Sequence, residues 1–411
     1  MTDRYDYLII GGGIAGVTAA ETIRENDNRA TTIGIISEEP HLLYSRVLLP
    51  AYLKGRVSRE QLFLRKIDDF TEKKIDLNIH EKVLFVDIKR KEVGLANHVS
   101  IGFEKLLIAT GGAVAAWGAE DIQDFIFRLQ TLDDADRMLG ALDTIKQPLV
   151  IGASFISLEF LEIFVVNKIS PTVIVRGHHF MDRILEEQGG EILHDNFAKH
   201  GITVQTSDAV KEVVPRENTL AVFTEGLRRL ECDAVAVGIG IERNIAFLDG
   251  SGIELGEKGV KTNEFLETNI PGIFTAGDMA EFNDTILGKH QVVGNWTNAF
   301  LQGQRAALNM VGKREGFKNV SAYSITNLGL QITAMGDCVD ASDTMVRSDR
   351  QKPQYERFFL KNGAIVGAVL INRFQDKAHL ARLVQAKTAV GDYRDLLSDF
   401  QFDIHEIPVV G

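Results

Sequence analysis

The chain has 411 residues, is 45% hydrophobic and 25% charged, and carries a formal net charge of −12 at pH 7. That length leads us to expect about two to four domains with substantial cores, and the negative balance argues against nucleic acid and anionic membranes as general partners. No apolar run approaches the ~18 residues of a membrane span, and the only cysteines, Cys232 and Cys338, form no C-x-x-C or metal-ligand cluster, so neither a membrane span nor a metal is expected.

The first predicted element is an apolar strand, Tyr7 to Ile10, leading into Gly11-Gly12-Gly13-Ile14-Ala15-Gly16. This is a full G-x-G-x-x-G turn. Gly11 would make the tight bend, Gly13 would let the backbone approach a pyrophosphate, and Gly16 would let the helix pack on the sheet, with Ala15 inside the same turn. The pyrophosphate would sit at the N-terminus of the helix that follows, where free N–H groups and the macrodipole favour negative charge. Val17 to Ile23 reads as that helix and Ile33 to Ile36 as a second buried strand. Glu38 ends the unit, about 20 residues beyond the last glycine, the spacing of an acid that holds a ribose hydroxyl. No signal-peptide pattern precedes the first strand, and with so few cysteines the expected compartment is the reducing cytoplasm.

Strands and helices alternate up to a strand at Lys105 to Ala109, which ends in Thr110-Gly111-Gly112. After a linker, a second βαβ unit starts at Pro148. Its turn, Gly152-Ala153-Ser154-Phe155-Ile156-Ser157, keeps the dinucleotide frame but has serine at the second and third glycine positions. The helix Phe155 to Lys168 is apolar on nearly every side, which predicts burial between layers. The strand Pro171 to Val175 then runs into Arg176-Gly177-His178-His179, so no acid stands where one would favour NADH. An arginine there can meet the 2′-phosphate of NADPH, and Arg176 therefore leans toward that donor, with His178 or Arg183 in support. The unit closes with the strand Ala234 to Val237 and a glycine-bearing exit, Gly238 to Asn244, that includes Gly240.

The chain next returns to the first domain through Gly272-Ile273-Phe274-Thr275-Ala276-Gly277-Asp278 and a helix, Asn298 to Met310. Two strand-like runs, Tyr355 to Leu360 and Ala364 to Ile371, flank Asn362-Gly363, a strong hairpin signal, and a helix follows from about Asp376. These residues read as a small α+β domain whose hairpin would either form a homodimer interface or cap the first nucleotide site.

Two dinucleotide turns in one chain suit a flavoenzyme that takes hydride from a nicotinamide, and several further motifs fall in a familiar order. After Gly11 to Gly16 come Glu38-Glu39-Pro40-His41, Tyr44-Ser45-Arg46, Leu107-Ile108-Ala109-Thr110-Gly111, the turn at Gly152, Thr275-Ala276-Gly277-Asp278 and Gly294-Asn295-Trp296. With these the chain resembles the pyridine nucleotide-disulfide oxidoreductase superfamily over essentially its whole length. It looks most like the group of rubredoxin reductases, ferredoxin reductases and the flavin portion of NAD(P)H nitrite reductases. The resemblance implies an α/β fold with two Rossmann-like dinucleotide-binding domains and a small α+β C-terminal domain. Residues 1–113 and 242–318 would bind FAD, 114–241 would bind NAD(P), and 319–411 would form the interface domain.

The resemblance also implies roles. Gly11, Gly13, Ala15 and Gly16 would take the FAD pyrophosphate and Glu38 its adenosine ribose. Arg46 would sit near the phosphates or ribityl chain. Ala109, Thr110 and Gly111 would pack on FAD, Gly277 and Asp278 would meet the ribityl hydroxyls, and Trp296 would lie near the isoalloxazine. Gly152, Ser154, Arg176 and Gly240 would hold the nicotinamide dinucleotide, and Glu159 would stand near nicotinamide and flavin as the catalytic candidate. Well-known members carry redox cysteines early in the first domain. Here no cysteine precedes Cys232, so disulfide-reductase chemistry, which needs a reactive thiolate, is not available. Oxygenase-type ferredoxin reductases place a lysine a few residues past the arginine of the Tyr-Ser-Arg loop, where this chain has Ala51. The expected activity is an FAD-dependent NAD(P)H oxidoreductase passing electrons to rubredoxin, ferredoxin or a partner redox subunit. An oxidase or small-molecule reductase, and a flavin-binding subunit without nicotinamide turnover, are the alternatives.

Overall fold

The strand Arg4–Ile10 shows in miniature why the first sheet forms. Ile9 packs into one core and Leu8 and Ile10 into the other, as expected of a parallel strand covered on both faces. The computed structural model describes residues 3–27 and 30–410, and the chain divides into two units. The first comprises Met1–Leu48, Ser58–Ala113 and Ile241–Asn319, and the second Leu49–Val57, Val114–Gly240 and Val320–Gly411.

In the first unit, Ile75–Asn78, Ile33–Ile36, Arg4–Ile10 and Ser100–Ile108 lie side by side in parallel. The strand Ser100–Ile108 is longer than the sequence suggested, and its two halves have different neighbours. Its start pairs antiparallel with Glu92–Leu95, and its end pairs parallel with Ile273–Thr275. The Ile273–Thr275 strand thus brings Gly277 and Asp278 to the same sheet end as the first glycine turn. The helix Ile14–Asn26 follows that turn and packs on the helix Trp296–Met310. The second helix starts two residues before the expected Asn298, because Asn295 is the cap: its side chain accepts from the Asn298 N–H at 2.8 Å.

The second unit holds a five-stranded parallel sheet in the order Thr203–Gln205, Thr172–Ile174, Pro148–Ile151, Ala234–Val237, Ile126–Phe127. The helix Phe155–Val166 is buried along most of its length, as its all-round apolar sequence implied. A second sheet, antiparallel, runs Ala322–Asn327, Leu330–Gly336, Ala364–Ile371, Gln354–Lys361, Asp343–Asp349. Asn362 and Gly363 join two of these strands with positive φ at both residues, 52° and 77°, as a two-residue hairpin turn requires. The helix Lys377–Ala386 follows. The α/β class with two dinucleotide-binding sheets and a C-terminal sheet domain is therefore as expected.

Gly303 sets the approach of the two helices in the first unit. A Cβ there would lie 2.3 Å from the Ala15 carbonyl oxygen, which belongs to backbone that cannot swing aside. Gly303→Ala is expected to destabilise the protein by about 1–3 kcal/mol through overpacking, although alanine is the better helix former. Urea unfolding measures it.

Candidate functional site

The first glycine turn is built by close approach. Gly11 has φ +119°, and a Cβ on it would sit 2.2 Å from the Ala109 carbonyl oxygen. One on Gly16 would sit 2.0 Å from the Gly11 carbonyl oxygen, whereas around Gly13 nothing lies within 4 Å. Gly13 is the helix N-cap and makes no side-chain cap bond. The turn thus offers a flat backbone and an uncapped helix N-terminus, which is what a pyrophosphate needs.

Other expected residues gather at this sheet end. Ala109 donates its N–H to the Ile10 carbonyl at 2.7 Å. Thr110 Oγ1 donates to the Asn244 carbonyl at 3.2 Å, and Asn244 N–H donates to Gly111 O at 3.3 Å, pinning that crossing. Gly277 donates its N–H to Gln302 Oε1 at 2.8 Å. Asp278 is not a helix cap. Its carboxylate has no hydrogen-bond partner among the described residues, and burial raises its pKa while the charges of Arg243 and Arg46 oppose the rise. Arg46 pairs with Glu39, which also accepts from the Tyr44 hydroxyl at 2.6 Å. Glu38 is exposed and pairs with Lys82 at 2.8 Å, a surface contact of little energy. Trp296 opens its helix, half-buried beside the core that contains Ala15 and Ala299. An unpartnered half-buried carboxylate, an open glycine and an uncapped helix end fit a flavin dinucleotide.

The second turn differs in a specific way. Gly152 has φ +111° and would bring a Cβ within 2.5 Å of the Gly238 carbonyl oxygen, so the bend itself is kept. The serines form a capping box: Ser154 Oγ accepts from Ser157 N–H at 3.2 Å, and Ser157 Oγ accepts from Ser154 N–H at 3.3 Å. Ser157 Oγ also reaches Gly238 O at 3.4 Å. This explains how serine is tolerated at the third glycine position: the hydroxyl is buried but bonded. Gly240 turns the chain at the sheet exit with φ +105°, and Arg176 is exposed with no ion pair among the described residues.

Glu159 stands on the second-turn helix with a partner the sequence reading missed. Lys54 Nζ lies 3.2 Å from Glu159 and 2.5 Å from Glu162, with side-chain exposures of 6%, 12% and 8% for Lys54, Glu159 and Glu162. The expected lysine position holds Ala51, and Lys54 stands three residues later, immediately after the short helix Leu49–Leu53. Glu162 lies one turn beyond Glu159 in the same direction. That matched i, i+3 offset was the signal available in the sequence. Arg56 and Asn327 Nδ2 also meet Glu162, each at 3.3 Å. Burial is the largest influence on Glu159 and raises its pKa; Lys54 opposes that and Glu162 adds to it.

Neither cysteine is poised for chemistry. Both are buried, and burial pushes each thiol up to about 12. Among the described residues no cluster could hold a metal ion, and no helix is long and apolar enough to cross a membrane.

Comparisons with known proteins fit this geometry. Residues 5–303 match the pyridine nucleotide-disulphide oxidoreductase family, and residues 324–388 match the rubredoxin NAD+ reductase C-terminal domain. An NADH oxidase of Methanocaldococcus jannaschii is 27% identical over 80% of this chain and 75% of its own length. The NADH-dependent phenylglyoxylate dehydrogenase subunit epsilon of Aromatoleum evansii is 25% identical over 93% of this chain and 92% of its own. The reductase in the crystal structure of the covalent putidaredoxin reductase–putidaredoxin complex has the same fold, with a TM-score of 0.90 over 99% of this chain and 98% of its own at 21% identity.

Replacing Lys54 by methionine would leave the buried Glu159 without its cation and Glu162 with only the exposed Arg56. The expected cost is about 3–5 kcal/mol, with the Glu159 pKa rising further. Because the folded pKa of Glu159 already exceeds its ordinary 4.5, its contribution favours the fold below that value and is lost as pH rises through the folded pKa. Lys54→Met should therefore be hurt more at neutral pH than in mild acid. Denaturant titrations across pH, with carbon-13 glutamate NMR to follow Glu159, measure both effects.

Proposed function

The chain belongs to the pyridine nucleotide-disulphide oxidoreductase family, and from that premise we propose that it is an FAD-dependent NAD(P)H oxidoreductase delivering electrons to a protein carrier of the rubredoxin or ferredoxin kind. The observation that carries the choice of acceptor is the state of the thiols. No cysteine precedes Cys232, and both cysteines are held protonated, so no thiolate is available to pass electrons to a disulfide. The match of residues 324–388 to a rubredoxin reductase C-terminal domain supports a carrier as the acceptor.

A bound flavin supplies the chemistry of accepting hydride from a nicotinamide and releasing electrons singly. The residues of this chain bind and orient. Gly11, Gly13, Ala15 and Gly16 would receive the pyrophosphate, with Glu38 on the adenosine ribose. Asp278 would accept hydrogen bonds from ribityl hydroxyls, and Ala109, Thr110, Gly111 and Gly277 would pack against the cofactor with Trp296 near the ring. Arg46, held by Glu39, would add positive charge. Gly152, Ser154 and Gly240 would receive the nicotinamide dinucleotide. Glu159 would present a carboxyl to the nicotinamide while Lys54 fixes its position. Two unpaired, buried cysteines suit a reducing compartment, and we assign the protein to the cytoplasm.

A second reading is favoured by one comparison. The Aromatoleum relative is a subunit of an NADH-dependent dehydrogenase and matches 93% of this chain with 92% of its own, so the acceptor is equally well a partner redox subunit.

Anaerobic titration with NADH or with NADPH should bleach the flavin band. Subsequent mixing with a rubredoxin or ferredoxin should restore it faster than air does. A yellow protein that neither nucleotide bleaches would overturn the reductase reading, and reoxidation fastest in air would make it an oxidase. With both thiols near 12, iodoacetamide at pH 8 and the Cys232→Ser/Cys338→Ser double variant should leave the rate of flavin reduction within about twofold of wild type.

A further inference from the structure

The strand-end acid that the sequence lacks is present in the fold. The two turns share an equivalent hydrogen bond to the neighbouring strand: Gly11 N–H donates to Ile36 O at 2.7 Å, and Gly152 N–H donates to Ile174 O at 3.2 Å. Two residues past these carbonyls stand Glu38 in the first unit and Arg176 in the second. The residue after Arg176 is Gly177, and a Cβ placed on it would lie 1.9 Å from Asp182 Oδ2 and 2.2 Å from the Asp182 carboxyl carbon. The Asp182 carboxylate therefore rests on the backbone of Gly177, one residue from the position that Glu38 occupies in the other turn.

The intervening loop is built to hold it there. Phe180 and Met181 are buried, Phe180 N–H donates to His194 Nε2 at 3.1 Å, and the rings of Phe180 and Phe197 meet edge to face at 5.2 Å. Met181 takes a left-handed backbone with φ 60°, which reverses the chain immediately before Asp182. On the other side, Gly177 O accepts from Ser207 N–H at 2.8 Å. Asp182 is half-buried, and its carboxylate has no hydrogen bond or ion pair among the described residues, although Arg176 and Arg183 are exposed nearby in the sequence.

We infer that Asp182 is the residue that selects the nicotinamide donor, accepting hydrogen bonds from the 2′- and 3′-hydroxyls of the adenosine ribose of NADH. A carboxylate here repels a 2′-phosphate, so the donor is NADH rather than the NADPH that Arg176 alone suggested. This inference rests on the proposed use of the second turn by a nicotinamide dinucleotide. Gly177 belongs to the same device, because any side chain on it would evict the carboxylate.

Isothermal titration of the FAD-loaded protein with NAD+ and with NADP+ tests it without turnover. Wild type should bind NAD+ the more tightly. Asp182→Asn, close in size, should weaken NAD+ binding by roughly tenfold or more, as loss of a charged acceptor does, and leave NADP+ binding unchanged or tighter. Gly177→Ala should reproduce that shift with Asp182 still present. A wild-type preference for NADP+, or an NAD+/NADP+ ratio unmoved in both variants, overturns the inference and leaves the reductase reading standing. Binding of neither nucleotide to wild type overturns both.

Discussion

The contact between Gly11 and the Ala109 carbonyl is the constraint on which the first unit turns. Two parallel strands can end together only if the chain leaving one does not fill the space above the other. At 2.2 Å no side chain could share that space, so the backbone itself closes the sheet end. With Gly11 bent away, Ala109 bonds to Ile10 and the helix begins at once with its N–H groups uncapped. Ile273–Thr275 then pairs with the same long strand and delivers Asp278 to that end. A bare helix N-terminus and an unpartnered carboxylate are both costly when isolated. Their presence together is economical only where a ligand completes them.

The second turn meets the same steric demand with different chemistry. Gly152 keeps the bend, but the helix is closed by its own serines. The capping box satisfies donors that the first turn leaves open, so the second helix is less dependent on a bound anion for its stability. The two glycine motifs therefore differ in how their helices are closed, and the serines are part of that difference rather than a decayed version of the first motif.

Much of this was legible in the sequence because it is local. Glycine spacing, apolar strand runs and Asn362-Gly363 each specify backbone conformation within a few residues, and the strands, turns and hairpin followed. What was hidden depended on side chains meeting across distance. Asp182 lies outside any strand-end pattern and returns to Gly177 only because Met181 reverses the chain. Lys54 stands three residues beyond the expected lysine position, which Ala51 occupies, and only the fold brings it to Glu159. The start of the Trp296 helix was misjudged because Asn295 and Asn298 are equally good caps by composition, and only their geometry separates them. The bond from the Ser157 hydroxyl to Gly238 O likewise joins residues far apart in the chain.

The Lys54 cluster shows why a helix that reads as uniformly apolar still carries two acids. Buried ion pairs are weak contributors to stability, and well-packed hydrophobic residues of similar volume often serve a fold as well or better. Lys54, Glu159 and Glu162 are thus a poor solution if the only task is to bury the helix Phe155–Val166. They are a good solution if a carboxyl must be fixed in a dry place with its proton affinity held above the ordinary range. Lys54, shared between the two carboxylates, does that: Glu162 takes the shorter contact, at 2.5 Å against 3.2 Å, and meets Arg56 as well, while burial holds the Glu159 pKa up. The asymmetry makes Glu162 the more firmly held of the two and Glu159 the carboxyl whose pKa burial raises.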